Sequence, residues 1–116
     1  MILVVTSDEV IGGCVLRALN KNGFEGCWSN NAISAIEYVG ETVPDLVFLD
    51  ILLTGPDGFT FLNEMASYAD TFAVPVVLMG EKDFSEFDFS AYCVIGFLDK
   101  KTMRPEEVVE YAKKYA

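Results

Sequence analysis

The residue best placed to do chemistry is Asp50. It ends the run Asp45-Leu46-Val47-Phe48-Leu49-Asp50, and Ile51-Leu52-Leu53-Thr54-Gly55-Pro56-Asp57-Gly58 turns the chain before a new helical pattern starts at Phe59. A strand buried on both faces reads as a near-continuous apolar run. In open α/β sheets, ligands bind just beyond the carboxyl ends of such strands. A carboxylate at that point can accept a transferred group, hold a cation, or cap the turn that follows. Which of these it does depends on what the rest of the chain brings to the same edge.

Several helpers are excluded by composition. The chain has no histidine, which removes the commonest general base and transition-metal ligand. Cys14, Cys27 and Cys93 are odd in number and show no C-x-x-C spacing, so they are expected to be small buried apolar residues in a reducing cytosol. A net charge of −10 argues against nucleic-acid binding by this domain, because phosphate contacts need clustered Lys and Arg. No apolar run approaches the roughly 20 residues of a membrane span. Met1 leads straight into Ile2-Leu3-Val4-Val5 without a basic segment, so no signal peptide is expected. The expectation is a soluble, cytoplasmic protein with no membrane contact, folded as one domain over residues 1–116.

The elements that must position Asp50 follow from periodicity. Ile2–Val5 is a short β-branched run, and Ser7 or Asp8 can cap the helix after it, whose apolar face carries Val10, Cys14, Val15, Leu16 and Leu19. Asn22-Gly23 ends that helix. Gly12 and Gly13 lower its propensity by roughly 1 kcal/mol each and suggest a close contact with the sheet. Phe24–Trp28 reads as a weak edge strand. Asn30 or Asn31 then caps a helix bearing Ile33, Ile36 and Val39, stopped at Gly40 with Pro44 beyond.

After the Asp50 strand, Phe59, Leu62, Met65, Ala66 and Ala69 recur at helical spacing. Val74–Met79 is a buried strand with Pro75 tolerable at its start. The stretch Gly80–Phe89 suits neither a helix nor a strand. Val94–Leu98 is a fifth strand, and Pro105 opens a helix with Val108, Val109, Ala112 and Tyr115 on its apolar face. Strands alternating with helices give a βαβ series and a doubly wound parallel sheet.

Asp50 at the third strand end, the Asp57-Gly58 turn, Val74-Pro75-Val76 and Phe97-Leu98-Asp99-Lys100 resemble the receiver domain of two-component response regulators. The similarity runs over essentially the whole chain. It implies a flavodoxin-like three-layer sandwich with five parallel strands in the order 2-1-3-4-5 and helices on both faces. It further implies Asp50 as phosphoacceptor and Lys100 as the cation that contacts the phosphoryl oxygens.

Other parts of the family pattern are altered. The acidic pair that helps to hold Mg²⁺ after the first strand is matched by Thr6 and Ser7. Mg²⁺ wants hard oxygen ligands in octahedral geometry, and hydroxyls supply oxygens without charge. Asp8, one residue later, is a candidate ligand and also a candidate helix cap, which leaves Asp8 and Asp50 as the metal candidates. No cofactor is expected, and any Mg²⁺ binding should be weak. Gly80 stands where the family has the hydroxyl residue of its switch, and Phe97 stands at the aromatic switch position without a phenolic oxygen. Lys101 follows Lys100 where the family commonly has proline, so a trans bond is expected there, a cis bond before a non-proline residue costing about 2.5–4 kcal/mol.

Phe84, Phe87, Phe89 and Tyr92 gather where the family has its fourth helix, in a segment about two residues shorter than usual. They either fill the core or form a patch for a partner. In receivers, the face made by the fourth helix, fifth strand and final helix commonly carries dimerisation or effector contacts, which implies a protein partner: a histidine kinase, an effector domain or a second copy. Two functional classes follow. One is a phosphoacceptor that switches through Asp50. The other, favoured by Thr6, Ser7 and Gly80, is an atypical receiver acting as an interaction module, with no enzymatic activity beyond any residual self-phosphorylation at Asp50. A nucleotide or flavin binder of flavodoxin type is a minor third, for want of a phosphate-cradling loop.

Overall fold

The computed structural model describes residues 1–53, 57–81 and 88–116. Phe84 and Phe87 lie outside the described residues, as does most of the stretch expected to be irregular. The elements in order are β1 (Ile2–Val5), α1 (Glu9–Lys21), β2 (Gly26–Ser29), α2 (Ala32–Glu41), β3 (Leu46–Asp50), α3 (Gly58–Ala66), β4 (Val76–Gly80), β5 (Val94–Asp99) and α4 (Pro105–Tyr115). All strand pairs are parallel, in the order β2-β1-β3-β4-β5.

Every residue of β1, β3 and β4 is buried, as their unbroken apolar sequences require of strands covered on both faces. Alternation along them builds two cores. Leu3, Val5, Val47, Leu49 and Leu78 pack with α2 and α3. Ile2, Val4, Phe48, Val77 and Met79 pack with α1 and α4 on the other face. Register places Val5 beside Leu49 and Asp50 beside Met79, and Gly80 beside Asp99. Thr6, Asp50, Gly80 and Lys100 therefore share the carboxyl edge of the sheet.

Local sequence explains most of the boundaries. Asp8 caps α1, its carboxylate accepting from the amides of Val10 and Ile11. Asn31 caps α2 through the amide of Ser34, and Asp57 caps α3 through that of Thr60. Gly23 takes a φ of 84° to close the chain after α1. Gly58 is held tightly against backbone, since an added Cβ would sit 2.7 Å from the Ile51 Cα.

Several expectations need correction. The edge strand runs Gly26–Ser29 rather than from Phe24, because the turn at Gly23 spends the Phe24 amide on the Leu19 carbonyl. Val10 is 73% exposed and Cys14 is also exposed, since Gly12 rather than either of them faces Trp28 and the sheet. Cys27 and Cys93 are only half-buried, so none of the three cysteines is a core residue. Ile33 points outward from the first turn of α2, and α3 ends at Ala66, short of Ala69. The Lys100–Lys101 bond is trans, as expected. No helix among the described residues is long and apolar enough to cross a membrane.

Candidate functional site

Asp50 is 1% exposed, yet its carboxylate is fully engaged. Oδ2 accepts from Lys100 Nζ at 2.8 Å and from Thr6 Oγ1 at 2.9 Å, while Oδ1 accepts from the Leu52 amide at 3.1 Å. Three donors from three different strand ends thus satisfy one buried anion. An ionised carboxylate out of water needs such partners, because the desolvation cost is otherwise prohibitive.

Each donor is fixed by the backbone behind it. Lys100 follows β5 directly, and its amide donates to the Gly80 carbonyl at 2.8 Å, which sets the start of its side chain one strand away from Asp50. Leu52 is held by a chain reversal in which the Ile51 amide bonds the Met79 carbonyl and the Gly58 amide bonds the Ile51 carbonyl. Thr6 is fully buried; its amide donates to Ser29 and its hydroxyl also accepts from the Asp8 amide at 3.1 Å. With that acceptor place filled, the Thr6 hydroxyl proton is directed at Asp50.

Sequence reasoning missed the part played by Trp28. Its indole Nε1 donates to the Thr6 carbonyl at 2.8 Å, and the ring lies so close to Gly12 that a Cβ there would meet the indole at 2.8 Å. The signal was available in the glycine of α1 and the lone tryptophan on a neighbouring strand, but neither residue alone names its partner.

The remaining site candidates divide. Ser7 is half-buried beside Thr6, and the Asp8 carboxylate is committed to the α1 cap. Gly80 is buried and offers no side chain at the carboxyl end of β4. Phe97 is 46% exposed on β5. Its ring meets Phe89 edge-on at 5.7 Å, and Phe89 stacks on Phe59 at 5.9 Å, forming an aromatic ladder from β5 to α3. Tyr92 is half-buried and donates to Asn63 Oδ1. Phe89 and Tyr92 both pack against the α2–α3 side of the core.

The edge thus joins an aspartate ending β3 to a lysine following β5, on a five-stranded parallel sheet of order 2-1-3-4-5. Residues 2–113 match the model of the response regulator receiver domain. The chain belongs to that family. This receiver is 30% identical to the transcriptional regulatory protein BaeR of Escherichia coli O6:H1 over 114 residues, 97% of this chain and 46% of BaeR. It is 33% identical to the phosphate regulon transcriptional regulatory protein PhoB of Escherichia coli K12 over 78 residues, 67% of this chain and 34% of PhoB. The receiver therefore spans less than half the length of these curated relatives.

Among solved structures, the receiver domain of NtrX from Brucella abortus superposes with a TM-score of 0.85 at 29% identity, covering 98% of this chain and 96% of that one. Chemotaxis protein CheY4 of Vibrio cholerae gives a TM-score of 0.89 at 18% identity, covering 99% and 97%, which speaks to the fold alone. This is a receiver domain of two-component signalling with a flavodoxin-like fold.

Proposed function

We propose that this receiver is an atypical one, a protein-interaction module whose acceptor site rests in a metal-free, internally neutralised state. The observation that carries the reading is the Asp50 cage: Lys100, Thr6 and the Leu52 amide use both carboxylate oxygens. In an acidic receiver pocket, neighbouring carboxylates repel one another until a cation arrives. Here the neighbour is the Thr6 hydroxyl, and the Lys100 ammonium supplies the positive charge.

The donor set does not fit Mg²⁺. Among the described residues Asp50 is the one carboxylate at the site, Thr6 spends its proton on it, and Asp8 is turned to its helix cap. Among the described residues no group of three or more Asp, Glu, Cys or His side chains could hold a metal ion. Phosphoryl-transfer catalysis depends on positioning and charge neutralisation, and one lysine is a sparse supply of the latter. Gly80 also leaves the end of β4 without a hydroxyl to bind a phosphoryl group. A hydrogen bond to a charged group contributes roughly 1.5–3 kcal/mol, so its absence shrinks any phosphorylation-driven population shift about tenfold or more.

The partner in this reading is a protein: a histidine kinase, an effector domain or a second copy. BaeR and PhoB are transcriptional regulatory proteins by name, and an effector domain joined to or recruited by this receiver accords with that. The net charge of −10 leaves nucleic-acid contact to such a partner rather than to this domain.

The second reading, a working phosphoacceptor, is favoured by one fact: Asp50 and Lys100 are both present and 2.8 Å apart. Incubation with acetyl phosphate and Mg²⁺, followed by intact-mass measurement beside Asp50→Asn, separates the two. The interaction module stays unmodified. A stable phosphoryl adduct absent from the variant would establish the phosphoacceptor instead.

A further inference from the structure

The helices α2 and α3 lie together on one face of the sheet, and their later turns enclose a cleft of about 320 Å³. Crossover helices run back from the carboxyl ends of parallel strands, so these turns lie toward the opposite end of the sheet from Asp50. Val39, Phe61 and Met65 are buried and form its apolar lining, together with half-buried Ile36. Glu64, Tyr68 and Asp70 complete it on the solvent side. Neither Lys nor Arg lines it, and the Thr71 hydroxyl beside it is already spent on the Met65 carbonyl at 2.6 Å. The cleft is apolar within and acidic at its mouth.

Gly40 supplies a separate observation. A glycine inside a helix costs about 1 kcal/mol relative to alanine, and such a residue usually answers to a left-handed backbone or a close neighbour. Gly40 has neither: its φ is not positive, and a Cβ built on it meets no heavy atom within 4 Å beyond its own helix. Gly40 is part of the cleft's lining, in the last turn of α2, and adds no side chain there.

We propose that this cleft binds a small organic cation, an ammonium group carried on an apolar body of about phenyl size. The volume is at the lower limit of small-molecule pockets, which run about 300–1,000 Å³. Phe61, Val39 and Met65 take the apolar body, Glu64 and Asp70 the charge, and the Tyr68 ring offers a cation–π face. A second copy of this chain is a poor occupant, because a partner with a net charge of −10 would bring like charge to an acidic mouth. The site is independent of the chemistry at Asp50.

The test is an amide NMR titration of the chain with phenethylammonium at fixed ionic strength. Neutral 2-phenylethanol and tetramethylammonium, which separate the apolar body from the charge, serve as controls. Expected are saturable shifts confined to α2, α3 and residues 68–71, with the alcohol binding about tenfold more weakly for want of the charge met by the Tyr68 ring and two carboxylates, and tetramethylammonium about tenfold more weakly for want of the buried apolar body. The Glu64→Gln/Asp70→Asn variant should lose the preference over the alcohol, and Gly40→Leu should weaken binding about tenfold while shifts elsewhere stay put. Non-saturating shifts, shifts spread over the acidic surface, or equal affinity for either control overturn the proposal. So does a folded Gly40→Leu that binds undiminished; should that variant not fold, the wild-type titration and the charge variant decide.

Discussion

Lys100 reaches across from the end of β5 to place its ammonium 2.8 Å from an oxygen of Asp50, pairing a lysine side chain 13% exposed with a carboxylate 1% exposed. The pair is nearly dry, and Thr6 shares the same carboxylate oxygen. Removing either partner from such a pair is not symmetrical, and the asymmetry can be measured.

Lys100→Met should cost about 3–5 kcal/mol in urea unfolding, because it strands the Asp50 charge in the interior. Asp50→Asn should cost less, about 1–2 kcal/mol: the amide keeps partners in Thr6 and Leu52, and the lysine can turn toward solvent. The double variant should recover most of the Lys100→Met loss. A Lys100→Met protein of unchanged stability would mean that the pair is not closed in solution.

Thr6→Asp places a second carboxylate against Asp50. Without metal it should destabilise the fold by about 1–3 kcal/mol through like-charge repulsion and loss of the threonine donor. Mg²⁺ should restore that loss in the variant, since ligand binding stabilises only the state that binds it. Thermal melts with and without Mg²⁺ read both effects, and the wild-type melting temperature should not respond. A wild-type protein stabilised as much as the variant would contradict the metal-free reading of the site.

Trp28→Phe removes the donor to the Thr6 carbonyl and should cost about 1 kcal/mol. Its specific signature is displacement of the amide resonances of Asp8 and Leu52, which flank the Thr6–Asp50 bond. Gly12→Ala approaches the same contact from the helix: its Cβ would lie 2.8 Å from the indole. The gain in helix propensity, about 1 kcal/mol, offsets the crowding, so fluorescence is the better probe. The single tryptophan should shift to longer wavelength as it is pushed outward.

Gly96→Ala should disturb the core beneath α1 and α4. The Tyr111 hydroxyl lies 2.1 Å from where that Cβ would stand, and the ring is held edge-on against Phe48 at 6.5 Å. Overpacking of this kind costs about 1–3 kcal/mol. Combining it with Tyr111→Leu should relieve part of that loss, and additive losses in unfolding curves would show that the ring is not the obstacle.

The same tyrosine predicts an alkaline limb. Burial first, then Tyr115, Glu107 and Glu110, hold the Tyr111 pKa above its ordinary 10.0. The unfolded chain then loses this proton before the folded one does. Stability from this group is complete below pH 10 and falls as pH rises through 10 toward the raised folded value. Tyr111→Phe should flatten that part of the stability profile, and an unchanged profile would assign it to other groups.

The sequence by itself determined the five strands and the parallel sheet, because unbroken apolar runs and 3.6-residue periodicity report burial directly; the strand order came from the resemblance to receiver domains. It also placed Asp50, since strand ends mark the functional edge of an open sheet, while Lys100 as its partner followed from the same resemblance. It determined less of orientation: Val10, Cys14 and Ile33 sit at helical spacing with core residues yet face outward, because a broad apolar stripe does not say which margin meets the sheet. Only the tertiary structure decided that Trp28 holds Thr6 and that Thr6 shares an oxygen of Asp50 with Lys100. These residues are distant along the chain and joined by directional bonds of about 3 Å. Periodicity is blind to such bonds, and the register of β1, β2, β3 and β5 at one edge makes them.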